Sequence, residues 1–158
     1  MVRVGVISDS HCDRAALREA ASRLQTVDQV VHLGDCAPDA QLLESLLPAP
    51  VLSVRGNCDY ASSQPEEITI QLGGVQALLC HGHRYQVKST LQLLCYRAQE
   101  VEAHLALFGH THRPLVTWEQ GVLLVNPGSL SGGYGGPGHY VVLEFRENGV
   151  VPISYELP

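Results

Sequence analysis

The sequence lacks the features that would carry a chain into or across a membrane. No stretch reaches the roughly 18 consecutive apolar residues that a membrane-spanning helix needs. The chain starts directly with a strand-like run, Val2–Ile7, and not with a basic segment followed by an apolar one and a small-residue cleavage site. We therefore expect a soluble, cytoplasmic protein with no membrane partner.

Positive charge is also scarce. The chain has 10 Lys+Arg against 16 Asp+Glu, which gives a formal net charge of −6. Proteins that hold nucleic acid usually present a basic face to the phosphate backbone. We therefore expect no stable nucleic-acid complex, although bound divalent cations would reverse the sign locally and attract phosphate to a site.

The five cysteines include no CxxC pair, which argues against a structural zinc site or a thioredoxin-like redox centre. Their odd number, without a secretion signal, argues against a disulfide framework. Cys12, Cys36, Cys58 and Cys80 each adjoin a polar motif. The favoured interpretation is that they are small apolar packing residues; the alternative is that one or more binds a soft metal or is oxidised.

A chain of 158 residues that is 45% hydrophobic predicts one compact domain, 1–158. Its first third alternates buried strand patterns with helical patterns. The strands are predicted at Val2–Ile7, 29–33 and 51–54, and the helices at 15–24, after an Asp13 N-cap, and at 38–47. This order is typical of a parallel sheet covered by helices.

The rest of the chain is rich in hairpins. We predict hairpins that pair 68–72 with 75–79, 116–118 with 122–125, and 140–145 with 150–155, a helix at 89–102, and a strand at 105–108. The segment 129–138 contains five glycines and predicts a flexible surface loop.

Metal-binding side chains follow five of the hydrophobic runs. The segments are Asp9-Ser10-His11, Gly34-Asp35, Gly56-Asn57-Cys58-Asp59, His81-Gly82-His83 and Gly109-His110-Thr111-His112. In open α/β sheets, ligands bind outside the carboxyl ends of the strands. If the segments are extended, residues i and i+2 also point the same way. We therefore expect the five loops to present their side chains to one space.

The donor types suit a two-metal centre. Carboxylate, amide and imidazole donors favour Mn²⁺, Fe, Zn²⁺ or Ni²⁺. Seven such ligands are about right for two ions roughly 3.5–4 Å apart, with Asp35 as the natural bridging carboxylate. Each segment alone is a weak signal, but all five in order at strand ends are hard to assign to chance. Two-metal centres of this type mostly cleave phosphate esters.

These motifs resemble those of the calcineurin-like metallophosphoesterases. The short length, the Gly-Asn-Cys-Asp form and the segment Asn126-Pro127-Gly128-Ser129 are similar to the small prokaryotic YfcE-type phosphodiesterases. The resemblance implies an α/β fold, a four-layer α/β/β/α sandwich of two mixed sheets without a cap domain. It also implies two divalent metal ions as cofactors, with Mn²⁺ expected first and Ni²⁺, Fe, Zn²⁺ or Mg²⁺ as alternatives.

The resemblance also implies roles for individual residues. One metal would take Asp9, His11, Asp35 and His112, and the other would share Asp35 and add Asn57, His81 and His110. The implied reaction is hydrolysis of a small phosphodiester by a hydroxide that bridges the ions. Candidate catalytic residues are His83, Cys58 and Asp59. Cys58 stands where the broad family has a histidine that assists the leaving group, so weaker leaving-group help is expected.

Alternatives remain open at this point. A retromer subunit that resembles this family serves as a non-catalytic protein-binding scaffold with an impaired metal site, whereas all seven ligand positions here hold competent donors. A nuclease or cyclic-nucleotide phosphodiesterase is a further alternative. A homo-oligomer, either a dimer or a tetramer, is expected from the resemblance. Tyr85 and Tyr134 are weaker candidates for substrate contacts, as Arg55, Arg84 and Arg113 are for phosphate contacts. His32 is expected to be a core or supporting residue.

Overall fold

Two five-stranded mixed sheets form the centre of the protein. The computed structural model describes residues 1–158, apart from the side chain of Tyr134. The first sheet has the order β10-β9-β1-β2-β3 and comprises β1 (Val2–Ile7), β2 (Gln29–His32), β3 (Val51–Ser53), β9 (His139–Arg146) and β10 (Gly149–Glu156). The second has the order β4-β5-β6-β8-β7 and comprises β4 (Glu67–Leu72), β5 (Val75–Cys80), β6 (Leu105–Leu107), β7 (Leu115–Glu119) and β8 (Val122–Asn126).

Three helices cover the outer faces of the two sheets. Helices α1 (Arg14–Arg23) and α2 (Pro38–Leu46) pack on the first sheet, and α3 (Gln92–Glu100) packs on the second. Asp13 caps α1 as predicted, because its Oδ1 accepts a hydrogen bond from the Ala16 N–H at 3.0 Å. Among the described residues, no helix is long and apolar enough to cross a membrane.

The predicted four-layer α/β/β/α sandwich without a cap domain is confirmed. Three apolar clusters hold its layers together. The cluster between the sheets includes Val4, Val6 and Leu79. A second cluster, under α1 and α2, includes Ile7 and Leu17. The third cluster lies under α3. Because the central strands are covered on both faces, their sequences are nearly continuous hydrophobic runs.

Parallel pairing brings the carboxyl ends of the central strands to one edge. β1 pairs in parallel with β2, and β2 with β3, as the alternation of strands and helices predicted. β5, β6 and β8 are parallel to one another in the second sheet. Backbone hydrogen bonds join the loops at this edge, including Asp9 N–H to Gly34 O at 3.0 Å and Gly109 N–H to His81 O at 2.9 Å.

The prediction of a surface loop at 129–138 is wrong for its first two residues. Ser129 and Leu130 are buried, and Ser129 Oγ donates a hydrogen bond to Asp9 O at 2.8 Å. The glycine content suggested exposure, but the chain that leaves β8 passes beneath the loop after β1. The predicted helix at 89–102 is also shorter at both ends than expected.

The packing interpretation of the four cysteines that adjoin the motifs is wrong for three of them and holds for Cys80. Cys12 and Cys36 form a disulfide, with their Cα atoms 5.6 Å apart. The parallel pairing of β1 and β2 places these two positions side by side, which their separation of 24 residues in sequence conceals. Cys80 and Cys95 are free and buried, as packing residues are, whereas Cys58 is free and exposed.

Candidate metal centre

Four predicted ligands converge at the shared strand edge. The donor atoms of Asp9, His11, Asp35 and His112 all lie within 4.8 Å of one another. His112 Nε2 is 3.1 Å from Asp9 Oδ1, and His11 Nε2 is 3.2 Å from His112 Nε2. The two carboxylates are buried, while the two imidazoles lie at the surface of the site. This group can hold one cation.

A second group of donors adjoins the first. His81 Nε2 lies 3.3 Å from Asp35 Oδ2 and 3.2 Å from His110 Nδ1. Asp35 Oδ2 also lies 3.9 Å from His11 Nε2, so this carboxylate faces both groups. Asn57 is exposed, and the N–H of the following residue, Cys58, donates to Asp35 Oδ1 at 3.1 Å, so the loop that carries Asn57 lies next to Asp35.

One carboxylate oxygen at the centre lacks a hydrogen-bond partner among the described residues. Asp9 is fully buried, yet its Oδ1 accepts no hydrogen bond and lies near imidazole nitrogens, with His112 Nε2 at 3.1 Å, whereas its Oδ2 accepts hydrogen bonds from the Ser8 hydroxyl at 2.5 Å and the His110 N–H at 3.0 Å. A buried carboxylate oxygen without a partner is costly. The residues present therefore fit a bound cation, which would satisfy this atom.

The tautomer of His81 is fixed by its surroundings. His81 Nδ1 lies 2.8 Å from Leu33 O, and because a carbonyl can only accept, Nδ1 carries the proton. Nε2 is then the ring nitrogen that faces Asp35 and Asp9, and it can ligate a cation once its own proton is lost. This arrangement of a backbone carbonyl behind an imidazole is typical of metal-ligating histidines.

Opposing charges dominate the electrostatics of the site. Burial disfavours the charged form of His81, but the Asp35 and Asp9 carboxylates outweigh it and raise the pKa of His81. Burial likewise favours neutral Asp35, but its hydrogen bond with His81 and the charge of His81 lower the pKa of Asp35. Burial, aided by the His81 charge, lowers the pKa of His110 to about 4. A metal at His81 would thus displace a proton.

The backbone at the centre is left-handed at five candidate ligands. Asp9, His11, Asp35, His110 and His112 have φ angles between 46° and 71°. The expectation that Asp9-x-His11 and His110-x-His112 are extended is therefore wrong, although their side chains still converge. Residues other than glycine rarely adopt such positive φ angles. Each residue in this conformation costs about 1–3 kcal/mol, and such residues cluster at functional sites.

Two glycines allow the loops to approach the carboxylates closely. A Cβ on Gly109 would lie 2.0 Å from Ser8 Oγ and 2.6 Å from Asp9 Oδ2. A Cβ on Gly56 would lie 2.1 Å from Asp35 Oδ1. The glycines of the two motifs are therefore required by steric contact with the ligands themselves.

Asp59, a predicted catalytic residue, contacts backbone rather than open space. Its carboxylate accepts hydrogen bonds from four N–H groups, those of Asp35 (2.9 Å), Cys36 (3.0 Å), Ala37 (2.8 Å) and Gly56 (2.7 Å). These bonds tie the loop after β2 to the loop after β3. Asp59 thereby fixes the position of Asp35.

A buried polar network beneath the site was only partly anticipated. Ser10 Oγ donates to Asp39 Oδ2 at 2.5 Å and lies 2.8 Å from His32 Nε2, while the Gly34 N–H donates to His32 Nδ1 at 3.2 Å. His32 Nε2 therefore carries the proton and donates it to Ser10. Burial lowers the pKa of His32, so the ring is neutral. His32 was expected to be a supporting residue; the parts played by Ser10 and Asp39 had no signal in the sequence.

The other two predicted catalytic residues lie beside the histidines. The ring centroid of His83 is 5.6 Å from that of His81, and its Nδ1 is buried with no hydrogen-bond partner in the described part of the chain. Burial and the His81 charge lower the pKa of His83. Desolvation by the neighbouring loops and the Asp35 charge raise the pKa of Cys58, which therefore keeps its proton at neutral pH.

A cleft of about 530 Å³ opens next to Cys58. Its lining includes Gln41, Tyr60, Ser62 and Gln64, and the Tyr60 side chain is 91% exposed at its rim. Apart from Asp59 the lining carries no charged side chain, and it mixes polar residues with small apolar ones such as Ala37 and Ala61. Such a cleft can accept the organic part of a small ester.

The weaker candidates lie elsewhere or have other partners. Arg55 Nη2 contacts Glu66 Oε1 at 2.9 Å, and Arg84 also contacts Glu66. Tyr85 donates its hydroxyl proton to Glu67. The side chain of Tyr134 lies outside the described residues.

Comparison with known proteins agrees with this geometry. Residues 2–148 match the calcineurin-like phosphoesterase superfamily domain. A probable metallophosphoesterase of Bacillus subtilis, YsnB, is 37% identical over 132 residues, which are 82% of this chain and 75% of that protein. The crystal structure of a predicted phosphoesterase from Streptococcus pneumoniae superposes with a TM-score of 0.77 at 30% identity, and the match covers 98% of each chain.

A more distant neighbour shares the fold alone. Wild-type Vps29 of Entamoeba histolytica, crystallised in complex with Zn²⁺, superposes with a TM-score of 0.77 at 21% identity, over 98% of this chain and 99% of that one. The family match and the B. subtilis relative cover most of the chain that contains the converging ligands. From these findings, the chain belongs to the calcineurin-like phosphoesterase superfamily.

Proposed function

We propose that the protein is a dinuclear-metal-dependent phosphodiesterase that hydrolyses small phosphodiesters. The observation that carries this proposal is the convergence of two buried carboxylates and four imidazoles around the unpartnered Asp9 Oδ1. Two divalent ions there, Mn²⁺ in our first expectation, would supply Lewis acidity and an activated water nucleophile.

The ligands divide into two sets that share one carboxylate. Asp9, His11, Asp35 and His112 would hold one ion, and Asp35, Asn57, His81 and His110 would hold the other. The distances from Asp35 Oδ2 to His81 Nε2 (3.3 Å) and His11 Nε2 (3.9 Å) support a bridging role for Asp35. Asp59 acts as a positioning residue for Asp35, which revises its predicted catalytic role.

Cys58 donates the proton that the leaving oxygen requires. The raised pKa of Cys58 keeps the thiol protonated at neutral pH, and the residue borders the cleft. A thiol is a weaker hydrogen-bond donor than an imidazolium. The enzyme therefore favours esters with good leaving groups. His83, whose lowered pKa keeps it neutral, offers a further hydrogen bond to the substrate.

The cleft beside Cys58 selects diesters with a small organic group. Its neutral lining offers no cationic group to a second phosphate, while exposed Tyr60 can stack on a planar leaving group. The net charge of −6 disfavours long polyanions. A short diester satisfies both conditions better than a nucleic-acid strand does.

The test uses metal-free protein reconstituted separately with Mn²⁺, Ni²⁺, Zn²⁺ and Mg²⁺. Turnover of bis(4-nitrophenyl) phosphate and of 4-nitrophenyl phosphate is measured in parallel. We expect Mn²⁺ to support turnover of the diester above that of the monoester, and Asp35→Asn to abolish both. Asp28→Asn is the matched control, since Asp28 is an exposed carboxylate whose Oδ2 accepts from the Arg3 N–H at 2.7 Å. No turnover with any metal at full occupancy would defeat the enzyme proposal.

The second candidate is a protein-binding scaffold. The similarity of the fold to Vps29 favours it, because that fold is shared over nearly the whole chain. A scaffold does not require a competent set of metal ligands, whereas all seven donors are retained here. Loss of turnover at full metal occupancy is the outcome that would promote this candidate. A homo-oligomer stays a prediction.

A further inference from the structure

The disulfide joins the two residues that directly follow two candidate metal ligands. Cys12 follows His11 and Cys36 follows Asp35. The bridge therefore connects the loop after β1 to the loop after β2, which together supply three of the four donors in the first group. Among the described residues, no other covalent bond between side chains links these loops.

Both cysteines sit in a backbone conformation that their surroundings hold in place. Their φ angles are 60° for Cys12 and 88° for Cys36, in the left-handed region that residues other than glycine rarely adopt. The Cys12 N–H donates to Asp39 Oδ2 at 3.0 Å, and the Cys36 N–H donates to Asp59 Oδ1 at 3.0 Å. The covalent bridge adds to these hydrogen bonds and keeps both loops in the conformation that makes the ligands converge.

We propose that Cys12 and Cys36 form a reversible redox site that sets the affinity of the metal centre. The disulfide form holds the first group of ligands ready for a cation, and reduction loosens that group and lowers its affinity. This inference rests on the proposed metal-dependent function, because it concerns the same centre.

The two cysteines differ in exposure, which favours one course for the exchange. Cys12 is exposed, whereas Cys36 is only 8% exposed. The thiolate of an external dithiol attacks Cys12 Sγ, the bond between the cysteines breaks, and Cys36 leaves as a thiolate that takes up a proton. The second thiol of the reductant then attacks the mixed disulfide and releases Cys12. The reductant ends as a disulfide, two electrons are transferred, and a disulfide oxidant reverses the reaction.

His11 is the ligand that responds most to reduction. Its side chain is 37% exposed, so little packing restrains it once the adjacent bridge is broken. Asp35 is held independently, since Asp59 accepts from its N–H and the Cys58 N–H donates to its carboxylate. Reduction therefore affects the first group of ligands more than the second. Loss of outer support for metal ligands typically costs 10–100-fold in affinity.

The choice of probe metal must take account of the thiols that reduction exposes. The donor atoms of Cys12, Cys36 and Asp39 lie within 4.8 Å of one another, so reduced thiols could take up a soft cation. Mn²⁺ prefers oxygen and imidazole donors to thiolates. Binding of Mn²⁺ therefore reports on the proposed centre and not on the cysteine pair.

The experiment compares oxidised and reduced protein. One sample is treated with oxidised glutathione and the other with dithiothreitol, and both reagents are removed without air before measurement. Iodoacetamide labelling followed by mass spectrometry assigns each thiol, and the mass of the peptide that contains exposed Cys58 shows whether oxidised glutathione has also modified that residue. Electron paramagnetic resonance of free Mn²⁺ gives the dissociation constant.

We expect Cys12 and Cys36 to be labelled only after reduction, and the Mn²⁺ dissociation constant to rise on the order of tenfold. A double variant, Cys12→Ser with Cys36→Ser, should bind Mn²⁺ as reduced wild type does and should not respond to either reagent. Equal dissociation constants in the two wild-type samples would overturn the proposal, as would labelling of both cysteines after oxidant treatment. If the double variant does not fold, the Mn²⁺ dissociation constants of oxidised and reduced wild type alone test the proposal.

These outcomes separate the redox site from the proposed reaction. A redox-dependent Mn²⁺ affinity without turnover of any phosphate ester would retain this inference and remove the phosphodiesterase. Turnover of the diester, combined with the same Mn²⁺ affinity in the oxidised and reduced protein, would retain the phosphodiesterase and remove this inference.

Discussion

At the scale of single residues, the centre depends on side chains that are held in unfavourable states. Asp9 keeps a buried oxygen without a hydrogen-bond partner within the described structure, and five candidate ligands have positive φ angles. Neither feature stabilises the metal-free protein. Both are explained if cation binding compensates for their cost.

The leaving-group proposal predicts a gain of activity from one substitution. Cys58→His places a stronger proton donor at the mouth of the site. Turnover should rise by about tenfold or more for an alkyl ester, within the range of general acid catalysis, and change little for a nitrophenyl ester. Rates of Mn²⁺-loaded protein across a series of leaving groups provide the measurement.

Cys58→Ser serves as the control, because a hydroxyl keeps the size of the residue but is not an imidazole. An unchanged or lower rate for alkyl esters in the histidine variant would count against Cys58 as the donor.

The buried network predicts a pH-dependent stability. Burial lowers the pKa of His32 from 6.5, so its contribution is present above about pH 6.5. As the pH falls below that value, the unfolded chain gains a proton that the folded chain resists, and stability is lost. His32→Gln should therefore flatten the dependence by up to about 1.4 kcal/mol per pH unit.

Urea unfolding of the metal-free protein at pH 7.5, 6.5 and 5.5 measures this dependence. His110 and His81 contribute in both proteins with opposite signs, since their pKa values are lowered and raised, and the comparison cancels them. Exposed His104 provides the control variant, His104→Gln. Parallel curves for His32→Gln and wild type would refute the assignment of this network.

At the scale of secondary-structure elements, the site is a product of parallel strand pairing. β1, β2 and β3 end at one edge, and β5 and β6 bring their own loops to the same place. The loops are then joined to one another by Asp59, which accepts from four backbone N–H groups. The strands bring the loops to one edge of the sheets, and the hydrogen bonds of Asp59 fix the position of the loop that carries Asp35.

Replacing Asp59 tests this connection between loops. Asp59→Asn exchanges one accepting oxygen for a donor that faces backbone N–H groups, so at least one buried donor loses its partner. We expect the free energy of unfolding to fall by about 3 kcal/mol and the Mn²⁺ affinity to fall with it. Chemical denaturation and Mn²⁺ titration measure the two effects, with Asp28→Asn as the exposed control. A stable variant with normal affinity would contradict the positioning role.

The sequence predicted the elements well because their signals are local. Hydrophobic runs and the Asp13 cap located β1 and α1, and the alternation of strands and helices predicted the parallel sheet. The Cys12–Cys36 bridge and the left-handed ligands could not be predicted. They depend on which residues face each other across paired loops, and that register is set by the packing of the whole sheet.

At the scale of the whole molecule, the centre joins distant parts of the chain. Its candidate ligands extend from Asp9 to His112, and both sheets contribute to it. A cation bound at this edge would therefore stabilise the contact between the two sheets as well as the loops. Stability and metal binding are linked through mass action.

Metal removal should lower the thermal stability. Mn²⁺ at 100 times its dissociation constant should add about 2.7 kcal/mol to the free energy of unfolding, and chelation should remove it. Scanning calorimetry with and without Mn²⁺ measures the shift. Asp35→Asn should show a much smaller response, and an equal response in both proteins would mean that the ion binds elsewhere.

The dinuclear mechanism is tested by counting ions against activity. Metal-free protein is titrated with Mn²⁺ while the bound ions per chain and the turnover of bis(4-nitrophenyl) phosphate are measured on the same samples. We predict little turnover with one ion bound and full turnover as occupancy approaches two. Full turnover with one ion, or none with two, would contradict a two-metal phosphodiesterase.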